Sequence, residues 1–384
     1  MSQIKQLDFS GHTLFCGIDV HKKNWRVNIR SKEFELEDFS QDANVDIFYR
    51  HITRKYPNAS FKVCYEAGFS GFSAQRWLAE KGVNCCKVNA ADVITTHKDQ
   101  RRKTDKSDAR KLCEHLQSNR SVGVYIPEVA GEHGRSLTRA REKIVRNQTR
   151  CKNRIWQLLY FSGLSVPKQY ETQQYWSKQF VDSLRSISCG SEALQTALLL
   201  YIKDYEQTRS LLLEATRAIG NLCKQQEYKS EITLLRSIPG IGLINAAVIL
   251  FELQDINRFK NFDQLSSYVG FVPDTNQSGE SNYDRGITVR HNSYLRSALV
   301  ESSWQVIRKD PALLLKFKQY CKRMNRNRAI VRIAKHLLSR IKYVLKNKVE
   351  YEIGIPQIRK LKSKRASDMH MVCIRGSMPF HPNG

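Results

Sequence analysis

The chain has 384 residues, 41% of them hydrophobic, with 63 Lys and Arg against 37 Asp and Glu, a formal charge of +26 at pH 7. That length and apolar content support two or three cored domains and exclude a disordered chain, while the charge favours a polyanionic partner. No apolar run reaches membrane-spanning length, and MSQIKQLDFSG lacks the basic-then-apolar layout of a secretory signal, so a cytoplasmic nucleic-acid protein with no membrane partner is expected.

Taken in chain order, LFCGIDV, WRVNIRS and FELEDFS read as three short strands, followed by a polar helix over about 43–54. FKVCYEA is a fourth strand, FSAQRWLAEKG a helix ended by Gly82, and VNCCKVNA a fifth strand. The order β-β-β-α-β-α-β is that of a ribonuclease H-like (RuvC-like) α/β domain, assigned to residues 10–127. In that architecture the first strand carries one acid, the fourth another and a later helix the rest. Asp19, Glu66 and the pair Asp105 and Asp108 fall in those places.

The chemistry of these acids follows from their surroundings. A strand made of Phe15, Cys16, Gly17, Ile18 and Val20 does not bury Asp19 without a partner, and Glu66 ends an equally apolar strand. Asp105 and Asp108, three apart, share one face of a helix, where two like charges repel unless a cation lies between them. The plainer reading makes Asp105 the helix cap and Asp108 a solvated first-turn acid. Together the four carboxylates read as a site for Mg²⁺ or Mn²⁺, hard ions that take oxygen ligands and serve phosphodiester chemistry. Arg101, Arg102, Lys103 and Lys106 flank it, where a phosphate backbone reaching the ions would meet them.

After Pro127 the pattern becomes helical, and residues 128–230 are assigned to a coiled-coil helical linker. Leu137, Ile144, Cys151, Ile155 and Leu158 recur at near-heptad spacing in one long stretch, and Leu198, Ile202, Tyr205, Leu212 and Ile219 in a second. An antiparallel hairpin and a dimerising coiled coil fit this spacing equally. The first stretch carries Arg139, Arg141, Arg146, Arg150, Lys152 and Arg154, a basic face suited to nucleic acid, structured RNA above all. Residues 231–350 form a third, mainly α-helical unit opening on LLRSIPGIGLINAAVILFEL. Its Pro-Gly-Ile-Gly turn suits either a phosphate-contacting helix-hairpin-helix or a packing turn. The basic segment 351–384 reads as a disordered tail. Ten scattered cysteines form no CxxC pair, which excludes zinc-ribbon spacing and points to buried thiols in a reducing compartment.

The motifs GIDVHK, YEAG, KTDKSDARKL, IPGIG, SYVGFVP, SGES and NSYLRSALVESSW, in this order, resemble the DEDD transposases of bacterial insertion sequences, relatives of the Piv DNA invertases. The resemblance runs from about Phe15 to Lys346. It implies a RuvC-like domain whose DEDD quartet is Asp19, Glu66, Asp105 and Asp108, a coiled-coil linker, and a C-terminal transposase domain with a serine nucleophile, here Ser278 in a polar loop. It also implies recombination of DNA at element ends and target through a phosphoserine intermediate, guided by a structured bridge RNA. Where members commonly carry a lysine and a glycine, this chain has Val289 and His291. Arg285, Arg290 and Arg296 follow Ser278 and suit phosphate clamping. Other readings are a RuvC-like nuclease or junction resolvase using water, and a non-catalytic nucleic-acid-binding protein. A serine so far along the chain from the carboxylates implies a composite site, with sharing between the subunits of a dimer or tetramer favoured by the long helices.

Overall fold

A computed structural model describes residues 8–93, 104–118, 123–170, 175–278 and 281–353. The chain divides into two compact units, residues 1–126 and 127–384.

The first unit is built on a mixed five-stranded sheet of order β3-β2-β1-β4-β5, formed by β1 Thr13–Val20, β2 Asn24–Arg30, β3 Glu35–Asp42, β4 Ser60–Glu66 and β5 Asn84–Val88. β1 pairs antiparallel with β2 and parallel with β4. Strand alternation sorts the side chains of β1. Leu14, Cys16 and Ile18 pack with Phe48, Ile52 and Leu78, on the face covered by helices α1 (Val45–Lys55) and α2 (Ser73–Glu80). Phe15 joins Cys64, Val88, Leu112, Cys113 and Leu116 on the other, against α3 (Asp105–Gln117). Burial on both faces explains why β1 reads as a nearly unbroken apolar run. Topology and layering are compatible with a ribonuclease H-like domain.

Two local features set the start of α3 beside the end of β1. Thr104 caps the helix, accepting from the Ser107 backbone amide, and Ser107 returns a bond to the Thr104 amide. The cap is therefore Thr104 and not Asp105. Gly17 lets the helix come close: a Cβ there would lie 2.2 Å from the Ala109 carbonyl oxygen and 2.5 Å from the Cys113 nitrogen. No side chain fits at position 17, between that strand and that helix.

The second unit is helical apart from one hairpin. Its long helices, α4 (Val129–Phe161) and, after the short α5 (Lys178–Arg185), α6 (Glu192–Leu222), form an antiparallel pair within the one chain. Direction follows from their bonds: Arg141 to Thr216, Asn147 to Thr208 and Arg154 to Asp204, the number rising on one helix as it falls on the other. Of the two arrangements open at the sequence level, the chain adopts the hairpin. Ser177 caps α5, which closes one end of the pair with Phe180 amid Trp156, Trp176 and Tyr205.

Helices α7 (Gln226–Ser237) and α8 (Leu243–Leu253) flank the Pro-Gly-Ile-Gly turn and share a core with α9 (Phe262–Val269), α10 (Ser293–Val306) and α12 (Arg326–Asn347); α11 spans Pro311–Cys321. Gly240 has φ +90°, and a Cβ on it would lie 2.8 Å from the Val306 nitrogen and 2.9 Å from the Ser302 carbonyl oxygen. That glycine serves close packing against α10. Between α9 and α10 lies a two-stranded sheet, β6 (Pro273–Ser278) and β7 (Ser281–Ile287). Ser278 is the last residue of β6, paired with Ser281, so it ends a strand and does not sit in the open loop expected. PDTNQS and SNYDRGI lack apolar alternation, which hid the strands.

Nine cysteines are free thiols, seven buried; Cys373 lies outside the described residues. Among the described residues no helix is long and apolar enough to cross a membrane.

Candidate metal centre

Asp19 stands one residue before the end of β1, on the face that α3 covers, because it keeps step with Phe15 and Gly17. Asp105 opens α3. Their carboxylates meet around an imidazole: His21 Nε2 lies 3.1 Å from Asp19 Oδ2 and 3.5 Å from Asp105 Oδ2. Among the described residues, one atom from each of Asp19, His21 and Asp105 forms a group whose members all lie within 4.8 Å of one another. Burial first, and then the negative charges of Asp105 and Asp108, push the Asp19 carboxyl above its ordinary value; His21 acts the other way. A half-buried acid facing two further acids favours a cation between them. Two carboxylate oxygens and an imidazole nitrogen are donors that suit a divalent ion.

The other two expected ligands lie nearby by topology. Asp108 is one turn along α3 from Asp105, where it accepts from Ser107 Oγ and Lys111 Nζ, each at 3.4 Å. Glu66 ends β4 with its side chain exposed. Since Ile18 pairs with Tyr65 in parallel register, Glu66 is the strand neighbour of Asp19 and shares its face. It stands outside the close trio. His21 escaped the sequence reading, although its signal was present: two residues beyond Asp19 along an extended chain, it falls on the same side.

The expected phosphate-binding residues meet different fates. Arg101, Arg102 and Lys103 lie outside the described residues. Lys106 is 3.7 Å from Asp38, Arg146 bonds Glu142 one turn away, and Arg154 bonds Asp204, while Arg150 and Arg290 are exposed. Arg285 is on β7. Arg139 and Arg296 are committed internally. Arg139 donates from Nε and Nη2 to the fully buried Glu252 at 2.6 and 2.9 Å. Arg296 donates to the carbonyls of Val269, Gly270 and Thr288, stapling the base of the β6–β7 hairpin to the end of α9. Nε and Nη2 of each guanidinium are thus engaged with protein acceptors, which leaves fewer donors for phosphate.

Glu252 is the second feature the sequence reading missed, an acid inside LINAAVILFEL and the counterpart of Asp19 in kind. Besides Arg139 it accepts from Asn292 Nδ2 at 2.7 Å and lies 3.5 Å from Arg135 Nε. Asn292 also caps α10 and donates to Tyr268 Oη, whose proton goes to the Glu252 carbonyl.

Comparison with known proteins fits both units. Residues 16–162 match a DEDD transposase family of IS110 type, and residues 232–319 match the family described as "Transposase IS116/IS110/IS902 family"; together these spans exceed half the chain. Protein y4qE of Sinorhizobium fredii is 27% identical over 296 residues, 76% of this chain and 71% of the relative. Protein y4rJ of the same organism is 29% identical over 308 residues, 73% and 76% of the two chains. The transposase for insertion sequence element IS1533 of Leptospira borgpetersenii is 25% identical over 304 residues, 76% of this chain and 85% of the relative. With carboxylates gathered where β1 meets α3 in the first matched span and the Pro-Gly-Ile-Gly turn in the second, the chain belongs to the DEDD transposases of the IS110 family, enzymes that cut and rejoin DNA.

Proposed function

We propose that this transposase exchanges DNA strands through a serine ester, with Mg²⁺ or Mn²⁺ held by Asp19, Glu66, Asp105 and Asp108 and with Ser278 as the attacking group. The observation that carries the reading is the convergence of Asp19 and Asp105 on one point, supported by the resistance of Asp19 to ionisation among like charges. A divalent ion bound there supplies Lewis acidity toward a phosphoryl oxygen. Ser278 loses its hydroxyl proton and forms a bond to phosphorus while a deoxyribose oxygen departs and takes up a proton; attack by a second deoxyribose oxygen on the ester reverses these steps and frees the serine. Exposed basic side chains, among them Arg150 and Arg290, hold phosphates. A structured RNA that pairs with the element ends and target selects the sites, and the protein acts as a homo-oligomer in the bacterial cytoplasm. The leucines that α6 leaves exposed, Leu199, Leu200, Leu211 and Leu213, support self-association.

Incubating the full chain and its co-purified RNA with element-end DNA, then resolving products under denaturing conditions, tests the reading. The wild type should yield a covalent protein–DNA adduct. Ser278→Ala should lose both adduct and rejoining, and Asp19→Asn should lose cutting altogether. Metal-dependent cutting that survives Ser278→Ala would establish water as the nucleophile instead.

A further inference from the structure

His21 has no place in the DEDD quartet, yet its ring nitrogen lies within 3.5 Å of carboxylate oxygens of both Asp19 and Asp105. Its backbone is fixed: the His21 amide donates to the Asn24 carbonyl at 3.2 Å, closing the turn between β1 and β2, and Val20 pairs with Trp25 just before it. The imidazole therefore projects from a hydrogen-bonded turn toward the acids. Ligands about 2.1 Å from a common ion stand about 3.0 Å apart when adjacent in an octahedron and about 3.4 Å apart in a tetrahedron. The observed separations, 3.1 and 3.5 Å, lie close to those values, and the three atoms all stand within 4.8 Å of one another.

We propose that His21 Nε2 is a direct ligand of the divalent ion, alongside Asp19 and Asp105, and that it makes the site select Mn²⁺ over Mg²⁺. The inference rests on the metal-site reading above and adds to it a nitrogen ligand and a preference. Mg²⁺ holds oxygen ligands and water in preference to nitrogen, whereas imidazole binds later divalent ions well. An all-carboxylate site has no such reason to discriminate. With an ion bound, Nε2 would offer its lone pair and the imidazole proton would sit on Nδ1.

The test is metal binding by the full chain, read by calorimetry with Mn²⁺ and Mg²⁺ separately and by pulsed electron paramagnetic resonance of the Mn²⁺-loaded protein. The wild type should bind Mn²⁺ at least about tenfold tighter than Mg²⁺ and show coupling to an imidazole nitrogen. In His21→Ala the nitrogen coupling should vanish and Mn²⁺ affinity fall by about tenfold or more, with Mg²⁺ affinity changing much less. Asp19→Asn and Asp105→Asn should lose the ion in both measurements, which ties the signal to this site and not to another of the histidines. Mn²⁺ bound in an Asp19-dependent way without nitrogen coupling would overturn the role of His21 and leave the metal-site reading standing. Failure of the wild type to bind either ion, or binding indifferent to Asp19 and Asp105, would overturn both.

Discussion

Replacing Glu252 by Ala should unsettle the second unit more than any exposed substitution. The wild-type carboxylate is fully buried and accepts three bonds, two from Arg139 and one from Asn292, with Arg135 3.5 Å away. Removing it leaves a guanidinium and an amide donor facing a cavity on α8; because the Arg139 side chain is 39% exposed, the cost lies toward the low end of the range of about 3–5 kcal/mol for breaking a buried pair from one side. A domain of this size loses about 2–4 °C of melting temperature per kcal/mol, so a drop of about 10 °C is expected in the corresponding calorimetric transition. Arg139→Met should cost a similar amount by stranding the carboxylate. The double variant Arg139→Met with Glu252→Met should be much milder than the sum, with a coupling of about 2 kcal/mol or more, because both partners of the buried charge are gone together. Hydrogen exchange at the amides of 243–253 localises the effect to α8. A loss under about 1 kcal/mol for Glu252→Ala, or strict additivity in the double variant, would refute the claim that this pair holds α4 to α8.

Gly17→Ala should destabilise the first unit by about 1–3 kcal/mol and abolish cutting, since the added methyl must push α3, and Asp105 with it, away from β1; thermal unfolding and the adduct assay read the two effects. His336, half-buried beside Lys316, Arg340, Lys335 and Arg332 and sharing a hydrogen bond with Tyr320 Oη, has its pKa pushed down by burial and then by those charges, from an ordinary 6.5 to about 4. The unfolded chain then binds the extra proton between these values, so this contribution to stability is full above pH 6.5 and is lost as pH falls toward 4, by about 3 kcal/mol at most. Urea midpoints of wild type and His336→Gln over that range should converge as pH falls. Neutralising Arg146, Arg150 and Arg154 together should flatten the plot of log affinity for RNA against log salt by about two to three units of slope, near 0.9 for each phosphate left without its cation. An unchanged slope would remove α4 from the interface.

Much of this was readable in one dimension. The strands around Asp19 and Glu66 announce themselves because an acid at the end of an apolar run demands an explanation in burial, and the long helices because their apolar spacing repeats. What stayed hidden depends on contacts between residues far apart in sequence. Arg139 reads as one more cation on a basic helix until Glu252, 113 residues later, is seen to occupy it. Arg296 likewise reads as a phosphate clamp until its donors are found on backbone carbonyls. The β6–β7 hairpin, mostly polar, offers no apolar periodicity to detect. His21 alone was within reach of local reasoning, since the alternation that places Phe15, Gly17 and Asp19 on one side extends to it.

The antiparallel pair of α4 and α6 has a mechanical consequence. At 1.5 Å per residue, Phe161 at the far end of α4 lies about 33 Å beyond Arg139. A rotation of only 5° about Arg139 sweeps that end through about 3 Å, a helix-to-groove misfit at any surface the tip touches. The tip carries Tyr160 and Phe161, 75% and 93% exposed, side chains suited to stacking on whatever is bound there. The clamp on Glu252 anchors the near end of α4, so its loss would be felt as misalignment at the far tip.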